Sequence, residues 1–172
     1  ENLNHAFEFM FSADDSVEVS IPINTGWTWM SLNVVPEGKD YTLQHIYGTD
    51  FDAIEVIKNA RAFYVENYAN TLKELDNESM YMVKSREASV PSVIGKPCDP
   101  LTTPISIVKG WNWIGYPGQY PVSVNEAFAG IAPLDGEIVK GQSEFAIYTG
   151  YEWIGSLQSI EPCKGYIYQS NV

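Results

Sequence analysis

The side chains able to do chemistry are few and scattered along the chain. Only two histidines are present, His5 and His45, and His45 lies in the apolar turn from Leu43 to Tyr47, a setting for a structural or surface imidazole rather than a general base. No G-x-S-x-G, H-E-x-x-H, G-x-G-x-x-G or P-loop pattern occurs, so hydrolase, metalloprotease and nucleotide chemistry lack their usual sequence support. A glycosidase needs two carboxylates across a cleft, but 22 acidic residues allow such a pair almost anywhere, so their number discriminates nothing. Asp14-Asp15 and Asp50-Phe51-Asp52 offer hard oxygen ligands, yet neither follows a calcium-loop pattern, and solvated acidic turns are the expectation. The chain is therefore expected to be no enzyme and to carry no cofactor or metal.

Two cysteines, Cys98 and Cys163, lack metal-ligand spacing; they form one disulfide or remain two free thiols. Asn77-Glu78-Ser79 matches a glycosylation sequon by pattern alone. The richer signal is aromatic, with 5 Trp and 11 Tyr. Sugar-binding surfaces present indole or phenol faces to pyranose C–H groups while nearby amides and carboxylates hold hydroxyls, and Trp153, Tyr151, Tyr116, Tyr120 and Gln119 form such a candidate set. Trp153 and Tyr151 follow a Thr149-Gly150 turn and are the aromatics expected at the surface.

The elements that must position these residues come in two copies. Ile21 to Met30 (IPINTGWTWM) reappears as Ile105 to Ile114 (ISIVKGWNWI), 84 positions on, from Trp27 to Trp111. Lys58 to Phe63 falls against Lys140 to Phe145 at a spacing of 82. Tyr68 to Leu72 matches Trp153 to Leu157, and Tyr81 to Ser85 matches Tyr166 to Ser170, both at 85. The chain divides into an N-terminal strand or arm (1–20), repeat A (21–86), a proline-rich extended connector (87–104) and repeat B (105–172).

Period-two alternation at Val17, Val19, Ile21 and Ile23 marks half-buried strands, and Ala6 to Phe11 reads as a further one. Ser123-Val124-Asn125-Glu126 has the form of a capping box, and Leu43, Ile46 and Tyr47 have helical spacing, so each copy should hold one short helix. Recurrence of Trp27, Trp29, Trp111 and Trp113 among aliphatic strand residues places all four in the expected core. The fold class is mainly β, a β-rich α+β arrangement of two pseudo-symmetric repeats packed as one unit, because neither copy is long enough to hold a large core alone.

Gly110-Trp111-Asn112-Trp113-Ile114-Gly115, Trp153-Ile154-Gly155-Ser156-Leu157 and Glu161-Pro162-Cys163-Lys164-Gly165-Tyr166 together resemble a repeat module of large secreted or surface proteins of bacteria, especially of Bacteroidetes type. The resemblance covers nearly all of 105–172. Repeat A keeps Gly26-Trp27-Thr28-Trp29 but lacks the closing motif, and Cys163 stands where the module has glycine. The resemblance implies an extracellular or cell-surface, non-catalytic accessory module of a longer polypeptide, structural or ligand-binding, with no site residues to carry over.

A net charge of −12 repels phosphate backbones and anionic headgroups, which excludes nucleic acid as a partner, and no apolar run is long enough to span a bilayer. The partners left are neighbouring domains of the same polypeptide or a neutral glycan, the latter making the chain a carbohydrate-binding module that uses surface aromatics.

Overall fold

The structure is a computed structural model that describes residues 15–172. The strand expected at Ala6 to Phe11 lies outside the described residues. In chain order the first half contains β1 (Val17–Ser20), β2 (Gly26–Met30), β3 (Val34–Pro36), helix α1 (Leu43–Tyr47), β4 (Ile54–Lys58), β5 (Phe63–Val65), β6 (Ala69–Asn70) and β7 (Tyr81–Ser85). β8 (Ser92–Pro97) follows. The second half contains β9 (Gly110–Ile114), β10 (Val122–Ser123), helix α2 (Val124–Ala127), β11 (Ile138–Lys140), β12 (Phe145–Tyr148), β13 (Trp153–Gly155), β14 (Ser159–Ile160) and β15 (Tyr166–Ser170).

The duplication is a duplication of topology. One five-stranded sheet runs β2-β7-β4-β5-β6 and the other β9-β15-β11-β12-β13, so every strand has a counterpart in the same place. The registers agree as well: Gly26 lies opposite Ser85 and Trp29 opposite Met82, while Gly110 lies opposite Ser170 and Trp113 opposite Ile167. Small polar contacts repeat with them. Thr71 Oγ1 accepts from the Phe63 N–H at 3.0 Å, and Ser156 Oγ from the Phe145 N–H at 3.2 Å. The Tyr81 hydroxyl accepts from the Asp76 N–H and the Tyr166 hydroxyl from the Glu161 N–H, each at 2.7 Å. Thr42 and Ser123 cap their helices by accepting the N–H three residues on.

The proline-rich connector does more than connect. Its Ser92–Pro97 segment is β8, the middle strand of a three-stranded sheet ordered β1-β8-β3, which ties the connector to two strands of the first half.

Each half has its own apolar cluster. Ile21, Leu32, Val34, Ile46, Tyr47 and Ile57 belong to the first, and Ile114, Val124, Phe128, Val139, Trp153 and Tyr168 to the second. Backbone bonds join the halves in matching pairs. Both β2 and β9 are edge strands of their sheets, and an edge strand presents unpaired N–H and C=O groups. Met30 at the end of β2 bridges to Lys164, and Ile114 at the end of β9 bridges to Ser79. Ser31 N–H donates to the Cys163 carbonyl at 3.0 Å, and its counterpart Gly115 N–H donates to the Glu78 carbonyl at 2.7 Å. Each half thus gives the other the same contact, the mark of an approximate two-fold axis.

The paired tryptophans sit on the side of the sheets opposite to expectation. Trp27 is 41% and Trp111 53% exposed, and Trp29 and Trp113 are half-buried, whereas the alternate residues Thr28, Met30, Asn112 and Ile114 are buried. Strand alternation permits one face only. Gly26 and Gly110, at φ of 84° and 96°, set that phase where each strand begins. On the outer faces, the Lys58 ammonium stands 5.2 Å from the Trp27 ring centroid and Lys140 5.0 Å from that of Trp111. Trp153, expected at the surface, is only 6% exposed. In β13 the alternation sends Trp153 inward and Ile154 outward, and its ring packs 5.5 Å from Phe128, 5.4 Å from Tyr148 and 5.9 Å from Tyr168.

The second half closes its C-terminus on a buried carboxylate. Glu137 accepts from the Asn171 N–H at 2.7 Å, from Ser170 Oγ at 3.3 Å and from the Tyr168 hydroxyl. Burial raises the Glu137 pKa, but these donors outweigh it and hold the carboxyl below its ordinary 4.5.

Two stability measurements check this architecture. By denaturant titration, Trp153→Ala should cost about 3–5 kcal/mol, as expected for emptying a core aromatic site. Trp111→Ala should cost about 1 kcal/mol; equal losses would contradict the inside–outside assignment. Because Glu137 has a depressed folded-state pKa, its contribution is present above pH 4.5 and fades as pH falls through the folded value. The stability gap between wild type and Glu137→Gln should therefore narrow on acidification, and a gap that widens would refute the carboxylate's role.

Candidate functional site

The seam between the halves opens on one side into a cleft of about 830 Å³. One wall is β1, Asn24 and the Trp29 end of β2; the other is the turn 141–144 and the closing segment 161–166 of the second half. The Gln142 side chain ties the turn to the first half. Gln142 Oε1 accepts from the Trp29 N–H and its Nε2 donates to the Trp27 carbonyl, both at 2.8 Å, so the amide completes the open edge of β2 as a neighbouring strand would. The equivalent residue in the first half is Ala60, which has no amide to offer.

At the back of the cleft, Asn33 ties three segments together. Its carbonyl accepts from Gln119 Nε2 at 2.6 Å and from the Cys98 N–H at 2.9 Å, and its Oδ1 accepts from the Cys163 thiol at 3.5 Å. Ser31 Oγ donates to the Lys164 carbonyl at 2.6 Å and accepts from the Tyr116 N–H at 3.2 Å. Gly165 lines the cleft where its counterpart in the first half is the fully buried Met80, and a Cβ at Gly165 would stand 2.5 Å from Met80 Cγ and 2.9 Å from the Met30 carbonyl oxygen. The missing side chain leaves both the space and the seam intact.

Among the described residues three carboxylates, Glu18, Glu144 and Glu161, line the cleft against one ammonium, Lys164. Lys164 lies 2.6 Å from Glu161 and holds that carboxyl below the usual glutamate value. The Tyr166 hydroxyl, raised chiefly by burial to about 12, stays protonated at neutral pH. Among the described residues no group of three or more His, Cys, Asp or Glu stands together as a metal site.

The candidate residues part company in the structure. Gln119 and Tyr120 line the cleft, with the Tyr116 hydroxyl donating to the Tyr120 carbonyl at 2.7 Å from behind; Tyr116 itself lines a smaller apolar pocket of about 310 Å³. Trp153 is interior and offers no face to a ligand. Tyr151 is 93% exposed, but on the turn between β12 and β13, outside the cleft lining. Trp29, Asn24, Gln142 and Glu144 were not legible as site residues: Trp29 was masked by its recurrence in both copies, and nothing in the pattern KGQSEF announces that its glutamine reaches the other half. Asn77, the sequon asparagine, is buried with its amide hydrogens donated to the Leu32 and Val34 carbonyls, which makes it a structural residue.

No protein-family model, curated protein or solved structure matches this chain.

Cys98 and Cys163 are both free thiols on either side of Asn33, each raised by burial to about 11. Thiolate is the reactive form, so both should react slowly with Ellman's reagent at pH 8 in the native protein. Two thiols should titrate in denaturant without reductant; a count of zero before reduction would show a bridge instead.

Proposed function

We propose that the chain is a non-catalytic binding module of a larger extracellular or cell-surface protein, with the cleft between its halves as the ligand site. The carrying observation is the cleft itself. Its volume of about 830 Å³ falls in the range of about 300–1,000 Å³ typical of ligand pockets. Its two walls come from different halves, clamped by Gln142 and by reciprocal backbone bonds, so it is preorganised. The resemblance of the closing motif to modules of bacterial surface proteins supports the location.

A second reading, docking to a neighbouring domain of the same polypeptide, draws on the outer face of the second sheet. There Phe145 and Ile147 on β12 and Ile154 on the neighbouring β13 are exposed, as is Trp111 on β9 at the opposite edge.

The test is a backbone-amide NMR titration of the full chain with pools of short peptides and of neutral oligosaccharides. Shifts should cluster at Trp29, Gln142 and Tyr120 and vanish in Ser143→Trp, which fills the cleft from an exposed turn, and mass spectrometry should find every bound compound uncleaved. Shifts confined to the outer sheet face or to the Tyr151 turn, or cleavage of a bound compound, would sink the cleft reading.

A further inference from the structure

The polar groups around the cleft fall into two sets. One set is spent on holding the protein together: Gln142 on the edge of β2, Gln119 on the Asn33 carbonyl, Glu161 on Lys164, and Glu18 on the Ser92 hydroxyl at 2.7 Å. These groups set the shape and have little left to offer a ligand. The other set is uncommitted. The side chains of Asn24, Ser143, Glu144 and Tyr120, and the indole N–H of Trp29, line the same space and make no hydrogen bond to any described residue.

This second set has a chemical signature. Asn24 offers two donors and an acceptor, Ser143 and Tyr120 a hydroxyl each, Glu144 an acceptor pair and Trp29 a donor beside a flat apolar ring. Uncharged donors and acceptors, one carboxylate and an indole lining one space suit a ligand with alternating apolar C–H faces and hydroxyl edges. The charge narrows the class further. With three carboxylates against one already paired lysine among the described residues, a sulfated or uronate chain meets repulsion and finds no free cation among them. An apolar peptide side chain would bury the uncommitted polar groups without partners, which is costly.

We propose that the cleft binds a short stretch of a neutral, polyhydroxylated glycan, one sugar ring stacked on Trp29 with Asn24, Ser143 and Glu144 meeting its hydroxyls. This rests on the cleft being the ligand site and adds the ligand's chemistry. The platform is Trp29 rather than the surface aromatic Tyr151, and Gln142 acts as a positioning residue, since it fixes the Trp29 backbone without reaching into the free space by its amide.

Isothermal titration of the full chain with cellohexaose, xylohexaose, mannohexaose and laminarihexaose, and with a heparin hexasaccharide as the anionic control, tests it. At least one neutral hexasaccharide should bind and the heparin fragment should not. Trp29→Ala should weaken binding at least tenfold, Trp29→Tyr should recover part of the loss, and Tyr151→Ala should leave affinity unchanged. The cooperative unfolding of each variant is checked alongside; if Trp29→Ala does not fold, Trp29→Tyr and the exposed Asn24→Ala carry the test, with a loss of severalfold expected in each. Binding that ignores changes at both Trp29 and Asn24, a preference for the sulfated chain, or no binding by any neutral sugar overturns the proposal. If the neutral sugars fail while peptides still shift Trp29, Gln142 and Tyr120, the ligand chemistry is wrong and the cleft stands; if nothing shifts those residues, both readings fall.

Discussion

An edge strand with open hydrogen-bonding groups is the constraint on which this molecule turns. β2 and β9 each end a five-stranded sheet, and each must cover the N–H and C=O groups on its outer side or leave them to solvent and to chance partners. The two copies solve the problem for one another. Met30 pairs with Lys164 and Ile114 with Ser79, so that the chain leading into each closing strand seals the end of the other copy's opening strand. Backbone pairing of this kind is directional, and it fixes the relative placement of two halves whose apolar clusters are separate.

That constraint also explains the position of the tryptophans. The inner face of each sheet is filled by the helix side and by residues such as Tyr47, Tyr81, Tyr166 and Tyr168, leaving the indoles of the G-W-x-W strands on the outer face. There Trp27 receives Lys58 and Trp111 receives Lys140 over the ring. For Trp27 and Trp111, recurrence in both copies reflects a shared structural job done on the outside, where a lysine stem and a ring cover the sheet together.

The cleft arises where the two-fold relation breaks. Gly165 stands in place of Met80 and Gln142 in place of Ala60, so one side of the seam is bridged at arm's length by an amide while space remains beneath it. An ancestral pair of identical halves would have two equivalent sides. Divergence at a handful of seam positions is enough to make one of them concave and lined by uncommitted polar groups.

The sequence by itself determined the repeat: the G-W-x-W segments, the KNARAF and KGQSEF blocks and the aromatic closing strands all occupy equivalent places, because local alternation and turn residues specify strands directly, whereas which strand pairs with which came from the tertiary structure. Capping at Ser123 and the helical spacing of Leu43, Ile46 and Tyr47 were legible for the same reason. Which face of each strand turns inward was not, since period-two patterns of Trp, Thr, Asn and Met leave both phases open until a helix and a second sheet surface claim one of them. Trp153 and Trp29 exchanged roles on that account, the first packed among Phe128, Tyr148 and Tyr168, the second facing the cleft. The cleft itself belongs wholly to tertiary structure, because Asn24, Gln142 and Glu144 are more than a hundred residues apart at their extremes and meet only when one copy's edge strand finds its hydrogen-bond partners in the other.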